Sequence, residues 1–195
     1  MDLGKCFGRL AWTMTYLCQR MPYSAVSVVT LTSLARINRS RFYQLYQSKE
    51  GLVNSILDHD LKEASQGTHE PALFLSRLLK KMHLRSALYR TILCEAETRG
   101  EREIAAKFLE KLLDCLAEDQ LDCSVRRRSM LSGLGGLLAG WLESDKHPDK
   151  DALSEWFVEM SQLSVRTERD STPTVASSSI EKNLAQGLTA VVGAR

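Results

Sequence analysis

The sequence has 195 residues, of which 44% are apolar and 26% charged, with 11 glycines and 4 prolines. This composition excludes a disordered or fibrous chain and fits one compact domain or two small ones. The net charge is only +2, but segment 3–49 holds seven Lys and Arg side chains and no Asp or Glu, which leaves −5 on the rest. A basic segment of this kind indicates contact with a polyanion, either nucleic acid or an anionic membrane surface.

The cysteines and the apolar runs indicate the compartment. The five cysteines form no C-x-x-C pair and are odd in number, so we expect reduced, buried thiols instead of a disulfide framework. No stretch of about 18 uncharged apolar residues is present, and the N-terminal residues do not resemble a secretory signal. We therefore predict a cytoplasmic protein without membrane contact.

Apolar residues recur at three- and four-residue steps along most of the chain, which predicts an all-α fold of about nine helices. The helices predicted near the N-terminus span 3–22, 28–35, 39–46 and 49–64. Short polar side chains suited to N-caps stand before the last three of them, at Ser27, Asn38 and Ser48. The later helices are predicted at 72–84, 85–98, 101–116, 124–143 and 149–165.

The two short helices, 28–35 and 39–46, are joined by a three-residue turn inside the acid-free segment. This is the pattern of a helix-turn-helix, here about residues 27–46, whose second helix enters the major groove of DNA. On a helical wheel, the second helix buries its apolar and aromatic face, which consists of Phe42, Leu45 and Tyr46. Its exposed Arg and Gln side chains can pair with guanine and adenine, and its hydroxyls can reach phosphates.

Ser27 and Lys49 stand at helix starts, where free backbone amides attract anions, so we expect both to contact phosphate. The predicted DNA-binding residues are therefore Ser27, Arg39, Ser40, Arg41, Tyr43, Gln44 and Lys49. The alternative is that this basic helix pair is only a solvated surface.

The run from Val26 to Leu52 resembles the DNA-binding domain of TetR/AcrR-type transcriptional regulators, and the resemblance extends over about residues 3–62. It is carried by the Phe42-Tyr43 pair and by the Ser48-Lys49-Glu50 start of the next helix. A second run, 132–143, resembles the penultimate helix of members related to the dihydroxyacetone kinase regulator. The resemblance implies a homodimer whose helical C-terminal domain dimerises and, in many members, binds a small effector.

Two residues differ from the pattern of the family. Arg36 stands in the turn where a glycine is usual, and Leu45 stands where many members have His or Tyr. If the turn requires a positive φ, Arg36 costs on the order of 1 kcal/mol. Both departures favour an alternative function, a regulator-like protein that dimerises or binds a protein partner without reading an operator.

In the C-terminal half, glycines repeat near one face of helix 124–143, which suggests close approach of another backbone. The predicted dimer interface consists of Gly133, Gly136, Gly140, Trp141, Trp156 and Phe157, with packing inside one chain as the alternative. Apolar residues that could line an effector pocket, or simply fill the core, are Met82, Tyr89, Leu93 and Phe108.

Catalytic and metal-site motifs are not found. His59-Asp60 resembles a metal-ligating dipeptide, but the other histidines show no ligand spacing, so we expect no metal, no cofactor and no enzymatic activity. We predict a helix-turn-helix DNA-binding domain at 1–64, a helical regulatory and dimerisation domain at 71–165 and a mobile tail at 166–195. The predicted function is a homodimeric DNA-binding regulator, a repressor, whose partners are double-stranded operator DNA and a small effector or a protein.

Overall fold

The protein is described here by a computed structural model, which covers residues 3–116 and 124–144. These residues belong to one compact unit and form helices without strands, so the predicted all-α class is confirmed. The helices are α1 (Leu3–Cys18), α2 (Val28–Ala35), α3 (Arg39–Tyr46), α4 (Lys49–Ser65), α5 (Pro71–Leu84), α6 (Ser86–Leu93), α7 (Arg99–Leu116) and α8 (Ser124–Glu143). The predicted ninth helix at 149–165 and the predicted tail at 166–195 lie outside the described residues.

Helix α1 ends at Cys18, earlier than the predicted end near Pro22. Beyond Cys18 the chain forms a tighter turn, in which the amide of Arg20 donates to the carbonyl of Leu17, three residues earlier, at 2.9 Å. Pro22, at φ −55° and ψ 145°, leads into a 3₁₀ turn at Tyr23–Ala25 that the sequence did not predict. The apolar face of α1 is buried, at Leu10, Met14 and Leu17.

Helix α4 is the long element of the N-terminal part, and its bounds agree with the predicted 49–64 to within one residue. Its apolar stripe is buried throughout, at Leu52, Val53, Ile56, Leu57 and Leu61. α4 packs on α5 and α7, and α1 packs on α6. One hydrophobic core therefore continues from the first four helices into the helices that follow.

Helix α6 is shorter than predicted, ending at Leu93 instead of near Thr98. The amides of Glu97 and Thr98 both donate to the Glu101 carboxylate at 2.8 Å. The Thr98 hydroxyl in turn accepts from the Glu101 amide at 3.2 Å, so the two residues form a capping box that starts α7. The helix ends early because these amides bond forward to Glu101 instead of back along α6.

A buried polar contact joins α4 to α6. The carboxylate of Asp60 is fully buried and accepts hydrogen bonds from the Arg85 guanidinium and, at 3.1 Å, from the Tyr89 hydroxyl. Burial, followed by the charge of Asp60, raises the pKa of Tyr89 well above its usual range. Asp60 therefore fixes the position of α4 against the helices that follow it.

None of the helices in the described ranges is long and apolar enough to cross a bilayer.

Candidate nucleic-acid interface

Three N-caps set the starts of α2, α3 and α4. The Ser27 hydroxyl accepts from the Thr30 amide at 3.0 Å, and the Asn38 side chain accepts from the Ser40 amide at 2.8 Å. The Ser48 hydroxyl accepts from the Gly51 amide at 2.9 Å. All three predicted caps are confirmed, and they hold the helix-turn-helix within the predicted residues 27–46.

The turn between α2 and α3 is left-handed at Arg36, with φ 52° and ψ 49°. The amide of the next residue, Ile37, donates to the carbonyl of Thr32 at 3.0 Å, which closes α2 as a Schellman motif. A positive φ is required here, as the glycine usual in the family suggested, so Arg36 costs on the order of 1 kcal/mol relative to Gly.

Arg9 of α1 supports this turn. Its Nη2 donates to the backbone carbonyl of Arg36 at 2.8 Å and also to that of Ala35. These carbonyls belong to the end of α2, where carbonyls have no partner inside the helix. The sequence did not indicate this role, because Arg9 lies 26 residues from Ala35 and no local pattern links the two.

The outer face of α3 carries five of the predicted DNA-binding side chains, and all are exposed: Arg39, Ser40, Arg41, Tyr43 and Gln44. The opposite face is anchored by Phe42, which is fully buried, while Leu45 and Tyr46 are half-buried. The Phe42 and Tyr43 rings meet edge to face with centroids 5.5 Å apart, which restricts the position of the exposed Tyr43. The helix is therefore rigidly seated, with its polar side chains on one open face.

The charge on this face is positive and unpaired. Within the described residues, neither Arg39 nor Arg41 forms an ion pair. No acidic residue precedes Glu50 in the segment that begins at residue 3. The positive potential of the face is therefore not neutralised locally, as expected for a surface that binds phosphate.

Lys49 differs from the other predicted site residues because its ammonium has a partner within the chain. Its Nζ donates to the Tyr23 carbonyl at 2.7 Å and lies 4.0 Å from the centre of the Tyr23 ring. Burial lowers the pKa of Lys49, and the nearby Glu50 and Glu101 oppose that change. In this structure Lys49 joins the 3₁₀ turn to the start of α4, a role that the sequence did not predict.

The residues predicted to line an effector pocket lie in the core. Met82, Tyr89 and Phe108 are buried, and Leu93 is half-buried against them. The Tyr89 and Phe108 rings meet edge to face with centroids 5.5 Å apart. The structure therefore brings these side chains together as packing, which is the alternative role given to them by the sequence.

The predicted dimer residues fall into three groups. Gly133, Gly136 and Gly140 are exposed on α8, and a Cβ added at any of them would meet nothing within 4 Å. Trp141, predicted as an interface anchor, is 2% exposed and packs into the core of its own chain, so it presents no surface to a second copy. Trp156 and Phe157 lie outside the described residues.

His59, Asp60 and Glu63 form a group whose nitrogen and oxygen atoms lie within 4.8 Å of one another. Asp60 is already bound by Arg85 and Tyr89, and the Glu63 carboxylate accepts from Lys81. The hydrogen bond from Lys81 is the main reason why the pKa of Glu63 is lowered. Both carboxylates therefore act as partners of cationic side chains.

The fold is similar to that of solved transcriptional regulators. The structure named dihydroxyacetone kinase operon activator DhaS is 18% identical, with a TM-score of 0.60, over 83% of this chain and 97% of that one. A TetR transcriptional regulator from Streptococcus agalactiae 2603V is 22% identical, with a TM-score of 0.57, over 80% and 93% of the two chains. A tetR-family regulator from Streptomyces coelicolor is 15% identical, with a TM-score of 0.54, over 97% and 100%.

No protein-family model and no curated protein matches the sequence. The three structures nevertheless agree on the fold, so the chain has the fold of TetR-type regulators. The resemblance seen in the sequence is confirmed at the level of the fold, and the structures that share this fold include the one named dihydroxyacetone kinase operon activator DhaS.

Proposed function

We propose that this protein is a DNA-binding transcriptional regulator and that α3 reads bases in the major groove. The observation that carries the proposal is the outer face of α3, where Arg39, Tyr43 and Gln44 are exposed together within a segment, residues 3–49, that contains no Asp or Glu. The buried Phe42 and the capped start at Asn38 hold this helix firmly, so its side chains are preorganised for binding.

Each exposed residue has a defined part in the proposal. Arg39 and Gln44 pair with base edges, while Arg41, Ser40 and Tyr43 contact phosphates or flanking bases. Ser27 contributes through the start of α2, whose backbone amides attract phosphate even though its hydroxyl caps the helix. Lys49 belongs to this set only if DNA draws its ammonium away from Tyr23.

We further propose that the protein acts as a homodimer, with α8 at the interface. The exposed glycines of α8, Gly133, Gly136 and Gly140, allow a second helix to approach closely. The two α3 helices would then read half-sites roughly 34 to 36 Å apart, one turn of DNA. An effector or a protein partner would act by favouring a dimer in which that spacing is wrong.

Repression is the proposed effect on transcription, because a dimer bound over a promoter excludes polymerase. An operator upstream of the promoter would give activation instead, the role in the name of the DhaS structure. A protein with this function works beside the chromosome, in the cytoplasm. It acts by binding, so the proposal includes no enzymatic step and no cofactor.

The deciding experiment is selection of genomic fragments by the purified protein, followed by affinity measurements on an enriched site. Arg39→Ala and Gln44→Ala should each weaken specific binding by about 1–3 kcal/mol. Lys80→Ala is the control, since Lys80 is exposed on α5, where the neighbouring Lys81 contacts Glu63 near the C-terminal end of α4. Failure to enrich any fragment at ~50 mM salt would overturn the proposal.

The alternative function is an interaction protein that keeps the fold but does not read an operator. The observation that favours it is the internal use of Lys49, together with the departure from the family at Leu45. A stable dimer that enriches no genomic fragment in the same experiment would support this alternative.

A further inference from the structure

A groove between α1 and the end of α2 lies beside the helix-turn-helix. Its volume is about 450 Å³, and it is lined by Gly8, Arg9, Trp12, Thr13, Leu34, Ala35 and Arg36. Trp12 is 67% exposed and Leu34 is 53% exposed, while Thr13 and Ala35 are buried at the floor. A large aromatic and a leucine that share one surface groove form the kind of apolar site that anchors a partner.

The Trp12 ring is held in place from one side. It stacks on Tyr16 one turn further along α1, with centroids 5.2 Å apart and an angle of 11° between the rings. The guanidinium of Arg20 lies 4.5 Å from the centre of the Tyr16 ring, which continues the stack by another turn. Since the tryptophan is already ordered, a ligand that binds against it loses little further side-chain freedom.

The rim of the groove is basic. Arg36 lines the groove and is exposed, Lys5 is exposed one turn before Gly8 on α1, Arg20 is exposed one turn beyond Tyr16, and the whole segment 3–49 has no acidic residue. Charge complementarity therefore selects an acidic ligand, while the apolar walls require that ligand to carry bulky apolar side chains.

DNA backbone does not match this surface. Phosphate requires several donors, but Leu34 has none, Trp12 has only its indole N–H, and Arg9 donates to the carbonyls of Ala35 and Arg36. The side chains proposed to read DNA project from α3, whereas the groove is built from α1 and the end of α2. The groove is thus a separate surface with a different ligand chemistry.

We propose that this groove is a docking site for an acidic segment of a partner protein, with a bulky apolar residue of that segment inserted between Trp12 and Leu34. The proposal goes beyond DNA binding and does not depend on it. It adds to the regulator a contact through which another protein is held next to the helix-turn-helix.

The test uses the full chain and a short synthetic peptide in which Leu and Phe are spaced by one helical turn among Glu residues. Two control peptides replace either Glu by Lys or Leu and Phe by Ala. Binding is followed by fluorescence anisotropy and by the indole NMR signal of Trp12. Only the acidic apolar peptide should bind, and its affinity should fall with added salt.

Variants of the protein locate the site. Trp12→Gln should weaken peptide binding by about tenfold or more. Gly8→Gln should do the same by filling the groove without unfolding α1, since a Cβ at Gly8 meets no atom within 4 Å. Gly8→Ala is the matched control for the second variant, and Leu84→Gln, at a leucine that is 76% exposed on α5, is the control for the first.

The proposal is overturned if the acidic peptide does not bind, or if it binds equally well to the Trp12→Gln and Gly8→Gln variants. It is also overturned if these two variants leave the peptide unaffected but weaken binding to a mixed-sequence DNA duplex, because the groove would then contact DNA. Loss of peptide binding with unchanged affinity for duplex DNA supports it.

Discussion

The guanidinium of Arg9 donates to the backbone carbonyl of Arg36 at 2.8 Å, and this contact joins the first helix to the turn of the helix-turn-helix. Arg36 itself has a left-handed backbone that a glycine would adopt without strain. A residue poorly suited to the turn is thus held there by a residue distant in sequence. The position of α3, and with it the proposed reading of DNA, depends on both residues.

The first prediction concerns the support from Arg9. Arg9→Met keeps an apolar stem but removes the donors to the carbonyls of Ala35 and Arg36. We expect the free energy of unfolding in urea to fall by about 2 kcal/mol, because hydrogen bonds from a charged donor contribute about 1.5–3 kcal/mol. Lys5→Met, at an exposed position of the same helix, should change it by less than about 0.5 kcal/mol. Equal effects of the two changes would contradict the assigned role.

The second prediction concerns strain in the turn. Arg36→Gly should raise the free energy of unfolding by about 1 kcal/mol, because glycine populates the left-handed region without a Cβ clash. Arg36→Ala removes the same long side chain but keeps the Cβ, so it should give no such gain. If alanine stabilises the protein as much as glycine does, backbone strain at this position is not the cause.

The third prediction concerns the junction of α3 and α4. A Cβ added at Gly51 would lie 2.0 Å from the carbonyl oxygen of Tyr46, a backbone atom that cannot move freely. Gly51→Ala should therefore lower the free energy of unfolding by about 1–3 kcal/mol. Gly8→Ala, where an added Cβ meets nothing, should instead raise it by about 0.5–1 kcal/mol. If both substitutions raise the free energy of unfolding, the backbone at Gly51 is not packed closely against the carbonyl of Tyr46.

The sequence predicted well those features that are set by neighbouring residues. The N-caps at Ser27, Asn38 and Ser48 and the bounds of α2, α3 and α8 follow from residues within a turn of each other. The early end of α6 was missed although it also rests on neighbouring residues, because the capping-box spacing Thr98-x-x-Glu101 that starts α7 was not used in the prediction.

Contacts between segments that are distant in the chain could not be predicted from the sequence. The support of the turn by Arg9 and the bond from Lys49 to Tyr23 each connect residues 26 apart. Trp141 was predicted to lie in a dimer interface, but it is buried in its own chain. The apolar pattern of a helix shows which residues are buried, and it does not show whether the same chain or a second copy covers them.

The fourth prediction separates two roles of Lys49. Lys49→Met keeps the apolar stem and removes the ammonium that donates to the Tyr23 carbonyl at 2.7 Å. We expect the free energy of unfolding to fall by about 1–2 kcal/mol. The slope of log affinity for DNA against log salt concentration should be the same as that of the unsubstituted protein. A lost phosphate contact would instead reduce the magnitude of that slope by about 0.9. Such a reduction would show that Lys49 leaves Tyr23 to bind DNA.

The last prediction concerns the buried carboxylate that links α4 to α6. Asp60→Asn keeps the shape of the side chain but leaves the Arg85 guanidinium without its counter-charge. Breaking a buried pair costs about 3–5 kcal/mol, and because Arg85 is partly exposed we expect about 2–3 kcal/mol in urea unfolding.

A matched change on the same helix is Asp58→Asn, which breaks the exposed ion pair with Lys111 and should cost less than about 1 kcal/mol. Adding Arg85→Met to Asp60→Asn should recover part of the loss, because the guanidinium left without its counter-charge is then removed. If the effects of the two substitutions simply add, Asp60 and Arg85 are not coupled, and the Asp60 carboxylate does not hold α4 in position through Arg85.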